Sequence, residues 1–386
     1  MSKPHPVLRP LKPLASAAIF YYATLWLVVL VVVGTLNQKY FGLHYSLEKY
    51  FSAWFIQPMD MPIWLPAGRL TMTVILVGLT SKLLVGSKWK AKNIGINITH
   101  VGVFLLMIGS VITAYTTTEG HISIREGAES STFQNSHDVE IAVTDRSDAE
   151  YDNTTTFTQG FFHSDQTFSD DAVPLSFKVI NFYKNCSPVA RGDSDSSAQL
   201  KGRAANIKLK ELPGDNKDQN MRGVEVEISG LSADQNGTYV FIAHPEWKPA
   251  ELTADNGKTY EISLRAKHHQ LPFSIYLKDF EKLDHAGTSM ARAYSSKVKV
   301  TQDESTEDIK IYMNHPLRRN NYTLYQASFS QRGIETTVLQ VVYNRGQLMP
   351  YISVVVIFIG LLVHCILQVP RLIVAAQKRN QPRNIS

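Results

Sequence analysis

The sequence predicts a membrane protein with four transmembrane helices and a large, mostly-β extracytoplasmic domain between the third helix and the fourth. Three observations predict it. Four apolar runs, at about 14–36, 70–85, 98–115 and 349–369, match or approach the ~20 residues that a bilayer-spanning helix needs. Between the third run and the fourth, segment after segment alternates apolar and polar residues, the period of a half-buried strand. Charge is divided in the same way: residues 117–348 hold 32 of the 34 Asp and Glu but 25 of the 39 Lys and Arg, a net −7, and the remainder carries +12.

The overall charge of +5, the pI near 8.9 and the mean hydropathy of −0.11 therefore average two unlike parts. They describe a basic membrane part joined to an acidic soluble part, and nucleic acid is not the expected partner. Three segments follow: an N-terminal membrane part with three spans at 1–116, the β-rich domain at 117–348, and the fourth span with its tail at 349–386. The two cysteines, Cys186 and Cys365, fall in different parts, so no disulfide is expected, and no CxxC or CxxCH occurs.

The first run follows a tail with Lys3, Arg9 and Lys12. It is longer than a signal-peptide core and lacks a small-residue cleavage site, so it reads as an uncleaved helix. Residues 38–66 are aromatic and mixed; Tyr45, Tyr50, Trp54 and Trp64 suit an interfacial belt on a connector. The second run is short and leads into a loop with Lys82, Lys88, Lys90 and Lys92. The fourth is followed by Arg371, Lys378, Arg379 and Arg383. Cytoplasmic loops carry the excess of Lys and Arg, so both termini and the Lys82–Lys92 loop are expected in the cytoplasm. Four spans then place the connector and the large domain outside the cytoplasmic membrane, on the periplasmic side. Within that domain HISIREG, DVEIAVTD, LSFKVINFY, VEVEISG, TYVFIAH, YEISLRA, PFSIYLKDF, SKVKVTQ and TTVLQVVYN read as separate strands of an antiparallel sandwich or barrel. Gly, Asn, Asp and Ser clusters such as 190–197 separate them.

The chemistry is expected around Gly95–Gly127, where the third span leaves the membrane as the strand-like segment from Gly120. His100 stands near the cytoplasmic end of that span. An ionisable side chain there is a functional candidate, or a histidine snorkelling to the interface. Gly102 and Gly109 share one helix face and admit either a neighbouring helix or a flat porphyrin. His364 in the fourth span precedes Pro370 by roughly 9 Å of helix, so both membrane histidines fall in the inner half of the bilayer. Neutral imidazoles are good axial ligands of haem iron. His364 also reads as an internal polar contact. No zinc spacing, nucleophile elbow, Walker loop or dinucleotide fingerprint occurs. The pair His268–His269 reads as a solvated loop, and the remaining histidines of the domain as surface residues. Met313-Asn314-His315-Pro316-Leu317 followed by Tyr325-Gln326 reads as a turn and strand whose Asn and Gln bond loop backbone.

These pieces resemble the ResB family of System II cytochrome c biogenesis proteins. The motifs are Gly34-Thr35 closing the first helix, THVGVFLLMIGSVITAY with EGHISIREG, LPFSIYLKDF (271–280), AYSSKVKV (293–300) and MNHPLRRNNYTLYQASF (313–329). The resemblance implies a membrane subunit that works with a CcsA/ResC-type partner to export haem b and deliver it to apocytochrome c. It implies a subunit of a holocytochrome c synthase complex, without a catalytic constellation of its own. It places the family's membrane histidine, a ligand of the haem iron, at His100, with the opposing ligand on the partner. It gives functional interest to Asn314, Pro316, Leu317, Tyr325 and Gln326. Cys186 stands outside these motifs and takes no role from them. The competing class is a membrane-anchored β-domain scaffold or chaperone that binds a protein partner and no haem.

Overall fold

A computed structural model describes residues 10–57, 62–147, 151–192, 197–212, 220–288, 290–330 and 333–379. Lys3, Arg9, Asp60 and Arg383, and the centre of the 190–197 loop, lie outside the described residues. The chain divides into two units, one of Thr118–Tyr343 and one of the segments before and after it.

In the membrane unit, α1 (Ala17–Phe41) starts where Ser16 accepts a bond from the Ala18 amide and ends at Gly42, whose φ of 81° suits glycine. Gly34 therefore lies inside the helix and does not close it. Its missing Cβ leaves room for Phe51, whose ring carbon would come within 2.8 Å of a methyl group there. The connector winds back through a helical turn, α2 (Leu43–Ser46), a wider π-helical turn (Leu47–Ser52), and two short paired strands, β1 (Phe55–Ile56) and β2 (Leu65–Pro66). Tyr50 is buried with Leu30, Ile56 and Ala67, so it packs into this unit, unlike the exposed Trp54 and Trp64. The Trp26 indole N–H donates to the Pro66 carbonyl at 2.7 Å and ties α1 to the end of the connector.

α3 (Gly68–Ser81) continues through a π-helical turn to Gly86, and α4 (Ile94–Thr116) follows a short 3₁₀ turn. α4 begins before the apolar run does, because the amide groups of Asn93 and Asn97 bond the Lys88 carbonyl and hold a polar first turn in place. α5 (Met349–Arg379) runs on through Pro370. A proline lacks one N–H and strains the turn before it, so the polar tail was not expected to be helical. All four long helices, Ala17–Phe41, Gly68–Gly86, Ala91–Thr116 and Met349–Arg371, are long and apolar enough to cross a membrane.

α4 and α5 pack antiparallel with backbone against backbone. Gly95, Gly102 and Gly109 recur every seven residues and so share one face. A Cβ on Gly95 would lie 2.6 Å from His364 Cα, on Gly102 2.6 Å from Ile357 Cγ1, and on Gly109 2.5 Å from Met349 Cβ. Gly360 on α5 answers them, with Thr99 N at 2.5 Å from its missing Cβ. Small residues let two spanning helices approach this closely. The space that the glycines open is filled by a helix, not a porphyrin.

The second unit is built of β3 (Thr118–Arg125), β4 (Glu129–Asp145), β5 (Asn153–Thr158), β6 (Thr167–Asp170), β7 (Val173–Tyr183), β8 (Cys186–Ala190), β9 (Ile207–Glu211), β10 (Gly223–Ser229), β11 (Gly237–Ile242), β12 (Ala250–Thr253), β13 (Thr259–Asp284), β14 (Ala291–Gln302), β15 (Ser305–Tyr312), β16 (Leu317–Arg319), β17 (Tyr322–Ser330) and β18 (Thr336–Tyr343). Its main sheet is antiparallel and runs β15-β14-β13-β4-β3-β18-β17-β16, with β12 beside β13 and β5 beside β4. The sheet's two edge strands are consecutive in sequence, and Tyr312 bridges His315 across the turn that joins them. The sheet therefore curls until its edges meet at that turn. Ile124, Ile275, Leu277, Val300, Ile311, Leu324, Leu339 and Val341 fill its inside. A second sheet, β11-β10-β7-β6, stacks Phe177, Val179, Val224 and Val226 on the far halves of β4 and β13, around Ile141 and Ile262.

YEISLRA and PFSIYLKDF, expected as two strands, are one 26-residue strand, β13, that runs through both cores. The ladder to β4 breaks between Gln270 and Ile275, around Pro272. A proline has no N–H for the ladder and sits where pairing is interrupted.

Gly95→Ala is expected to destabilise the detergent-solubilised protein by about 1–3 kcal/mol through overpacking of α4 against α5. Ser110→Ala, at an exposed position of the same helix, is expected to stay within about 0.5 kcal/mol. Thermal unfolding followed by circular dichroism checks both, and equal midpoints would mean that α4 and α5 do not touch at Gly95.

Candidate functional site

His100 lies nearly two turns inside α4, about 9 Å from Ile94, and not at the helix end as expected. At 100° per residue it leaves the helix on the side opposite the glycine stripe, so it faces away from α5. Its Nδ1 is buried and has no hydrogen-bond partner. His364 has its backbone seated against Gly95, and its Nδ1 is likewise buried and unpaired. Gly95 and His100 are about 7–8 Å apart along α4, so the two histidines are offset by about that distance along the helix axis.

An imidazole binds iron through one ring nitrogen, while a hydrogen bond on the other usually fixes its tautomer. Both membrane histidines keep an Nδ1 that is shielded from its surroundings and engages no protein group. Among the described residues no group of three or more His, Cys, Asp and Glu is placed to hold a bare metal ion.

In the β unit, Asn314 adopts φ 63° in the turn between the two edge strands of the main sheet. This left-handed conformation is one that Asn tolerates. His315 stacks on Tyr312 with ring centroids 4.1 Å apart. Pro316 leads into Leu317, which is buried in the core of the curled sheet. Gln326 does not serve only loop backbone. Its Nε2 donates to Thr337 Oγ1 at 2.8 Å and to the Ser328 carbonyl, and its Oε1 accepts from Ser296 Oγ at 2.7 Å. Ser296 and Thr337 are both fully buried, so this amide links β14, β17 and β18 inside the sheet. Tyr325, on the alternate face, is exposed. The Arg-Asn-Asn-Tyr run at 319–322 is a two-residue hairpin, with φ 50° and 65° at Asn320 and Asn321. Those paired asparagines were the available signal for it.

His268 and His269 are strand residues, not a solvated loop. They lie in β13 beside the bulge opposite Asn135–Asp138. Asn135 Oδ1 accepts from the amides of His137 and Asp138, so its Nδ2 is the atom that faces His269 Nε2 at 3.1 Å. His269 must accept there, which puts its proton on Nδ1. Protonation of Nε2 would set one donor against another. Burial holds His269 below the usual imidazole range, with Lys267 adding to the effect. Burial also lowers His268, helped by the Arg265 charge. Arg265 itself pairs with the buried carboxylate of Glu140 at 3.0 Å, directly across the β4–β13 ladder. His121, His163, His244 and His285 are exposed, and His137 is half-buried.

Both cysteines are free thiols. Cys186 is buried on β8 against Gly223, and burial, followed by the Glu225 charge, pushes its thiol up to about 11. A thiol so rarely ionised is a poor nucleophile.

Four bilayer-length apolar helices around an inserted antiparallel β region define a multi-pass membrane protein. Residues 249–338 match the model of the ResB-like family, and this stretch is a ResB-like family domain. No curated protein matches the chain. The matched stretch runs from just before β12 into β18. It contains Asn314, Pro316, Leu317, Tyr325 and Gln326, and neither membrane histidine.

The depressed histidines make a pH prediction. A histidine whose folded pKa lies below its unfolded value of 6.5 costs stability once the unfolded chain begins to bind the proton. The protein is therefore expected to be more stable at pH 7.5 than at pH 5, with the loss setting in as pH falls through 6.5. Denaturant midpoints across that range are expected to flatten in His268→Gln/His269→Gln.

Proposed function

We propose that this chain is a membrane subunit of a System II cytochrome c maturation complex, acting with a CcsA/ResC-type partner in haem b export and delivery to apocytochrome c. The observation that carries the proposal is His100. Its imidazole is set within an apolar helix, turned away from α5, with a buried Nδ1 that no protein group engages. An imidazole kept in that setting without a partner is costly unless a ligand repays it. Where haem is bound, His100 would supply an imidazole nitrogen to its iron. The direction of His100 away from α5 favours a second ligand from the partner subunit. His364, about 7–8 Å away along the helix axis and also with an unpaired Nδ1, is the other candidate in this chain.

The basic residues Lys82, Lys88, Lys90 and Lys92 between α3 and α4 support a cytoplasmic placement of that loop, and so haem entry from the cytoplasmic side. The β unit would then lie on the periplasmic side, where apocytochrome c is met. Asn314, Pro316, Leu317 and Gln326 serve there by shaping the curled sheet: a left-handed turn, a buried anchor and a half-buried amide bonded to the buried Ser296 and Thr337 hydroxyls. Asn314 and Tyr325 are the exposed members of the set and so can meet a partner protein.

A second reading has its own support. The family match lies wholly within the β unit, as a membrane-anchored scaffold or chaperone that binds a protein and no haem would require.

The absorption spectrum of the detergent-purified protein, alone and with its partner, separates the two. A Soret band that falls at least about tenfold in His100→Ala, with an unchanged circular dichroism spectrum, is the expected outcome. A band of equal size in the variant would remove His100 from haem binding and leave the scaffold.

A further inference from the structure

The membrane unit holds a cleft of about 620 Å³ beside the C-terminal half of α4. Its walls come from α1, the connector, α3 and α4, and they include Trp54, Arg69, Met72, Met107, Val111 and Tyr115. The lining is mostly apolar, with one charge. The Arg69 guanidinium lies 5.8 Å from the Trp54 ring centroid, and among the described residues no carboxylate pairs with it. A cation held over an aromatic face keeps its N–H donors available. The planar guanidinium fork matches a carboxylate with two parallel bonds.

The cleft opens on the same side of α4 as His100. At 100° per residue, Met107 and Val111 lie within about 20° of the His100 direction, some 10 Å and 16 Å further along the helix. The opposite face is closed by the glycine contact with α5. One side of α4 thus carries an imidazole in its first half and an apolar cleft in its second. Two thioethers, Met72 and Met107, stand in that cleft. Thioether sulfur is polarizable, packs on flat π-systems and is an accepted axial ligand of haem iron.

We infer that this cleft is a second porphyrin station on the same chain, in which Arg69 anchors a propionate carboxylate while the ring lies among Trp54, Met72, Met107 and Val111. The identity of the ligand rests on the haem-handling role proposed above; the cleft and its charge do not. On this inference α4 offers haem a path along one face, from His100 toward the end of the helix that leads into the β unit.

The test uses metal-free protoporphyrin IX, which needs no axial ligand and so reads the cleft independently of His100. Binding to the full-length protein in phosphatidylcholine nanodiscs is followed by porphyrin fluorescence. Arg69→Gln is expected to weaken binding roughly tenfold or more, the loss of one charge-assisted contact, and Arg69→Lys to weaken it less. Val111→Trp, which fills the cleft, is expected to weaken it at least as much as Arg69→Gln. The dimethyl ester of protoporphyrin IX is expected to bind wild type as poorly as the free acid binds Arg69→Gln. Affinities unchanged in both Arg69→Gln and Val111→Trp would overturn the inference. So would a loss of phosphatidylglycerol retention in Arg69→Gln with porphyrin binding intact, because the cleft would then be a lipid site. The two readings fail separately. A Soret band that depends on His100 together with unchanged cleft variants sinks only the second station, and cleft binding without a His100-dependent band sinks only the iron-ligand role.

Discussion

The contact between α4 and α5 governs what the membrane unit can do. Three glycines at seven-residue spacing on α4, answered by Gly360 on α5, bring the two helices close, backbone on backbone at Gly95 and Gly360 and with Ile357 and Met349 seated on Gly102 and Gly109. Without a hydrophobic driving force between helices in lipid, such close packing is what holds two spans in register. The same contact sets the depth of His364 against Gly95 and turns His100 to the other side. Everything that a ligand can reach on α4 is therefore on the face that α5 leaves open.

The β unit rests on a comparable constraint. β4 and β13 are long enough to serve two cores in turn, and the ladder between them is interrupted where one core gives way to the other. His268, His269, Asn135 and the Glu140–Arg265 pair gather near that interruption. The curled sheet is closed from within by a small polar network, in which Gln326 spans Ser296 and Thr337. A half-buried amide with both ends satisfied adds specificity to a core that is otherwise Ile, Leu, Val and Phe.

Much of the architecture is readable in the residues. Run length and alternation mark the four spans and nearly all of the strands, because burial on one face leaves a period that sequence must carry. Where the reading failed, a local signal met a tertiary override. Gly34 looked like a helix end, but its role is to admit Phe51. Pro370 looked like a stop, yet α5 continues past it. His268–His269 looked like an exposed polar pair, whereas a strand half-buries both. Arg69 gave no signal at all, since a single arginine after a loop resembles any interfacial anchor until a cleft is seen beside it.

The sequence by itself determined that apolar runs alternate with a long strand-rich segment, that charge is split between them, and that an imidazole sits within the third run. These are properties of the chain's own periodicity and composition. Only the tertiary structure decided which faces meet. It decided that the glycines of α4 face a helix and not a porphyrin, that His100 turns away from α5, that two expected strands are one, and that Gln326 closes a sheet from the inside. Facing relations depend on contacts between residues far apart in sequence, and no local pattern encodes the partner of a face.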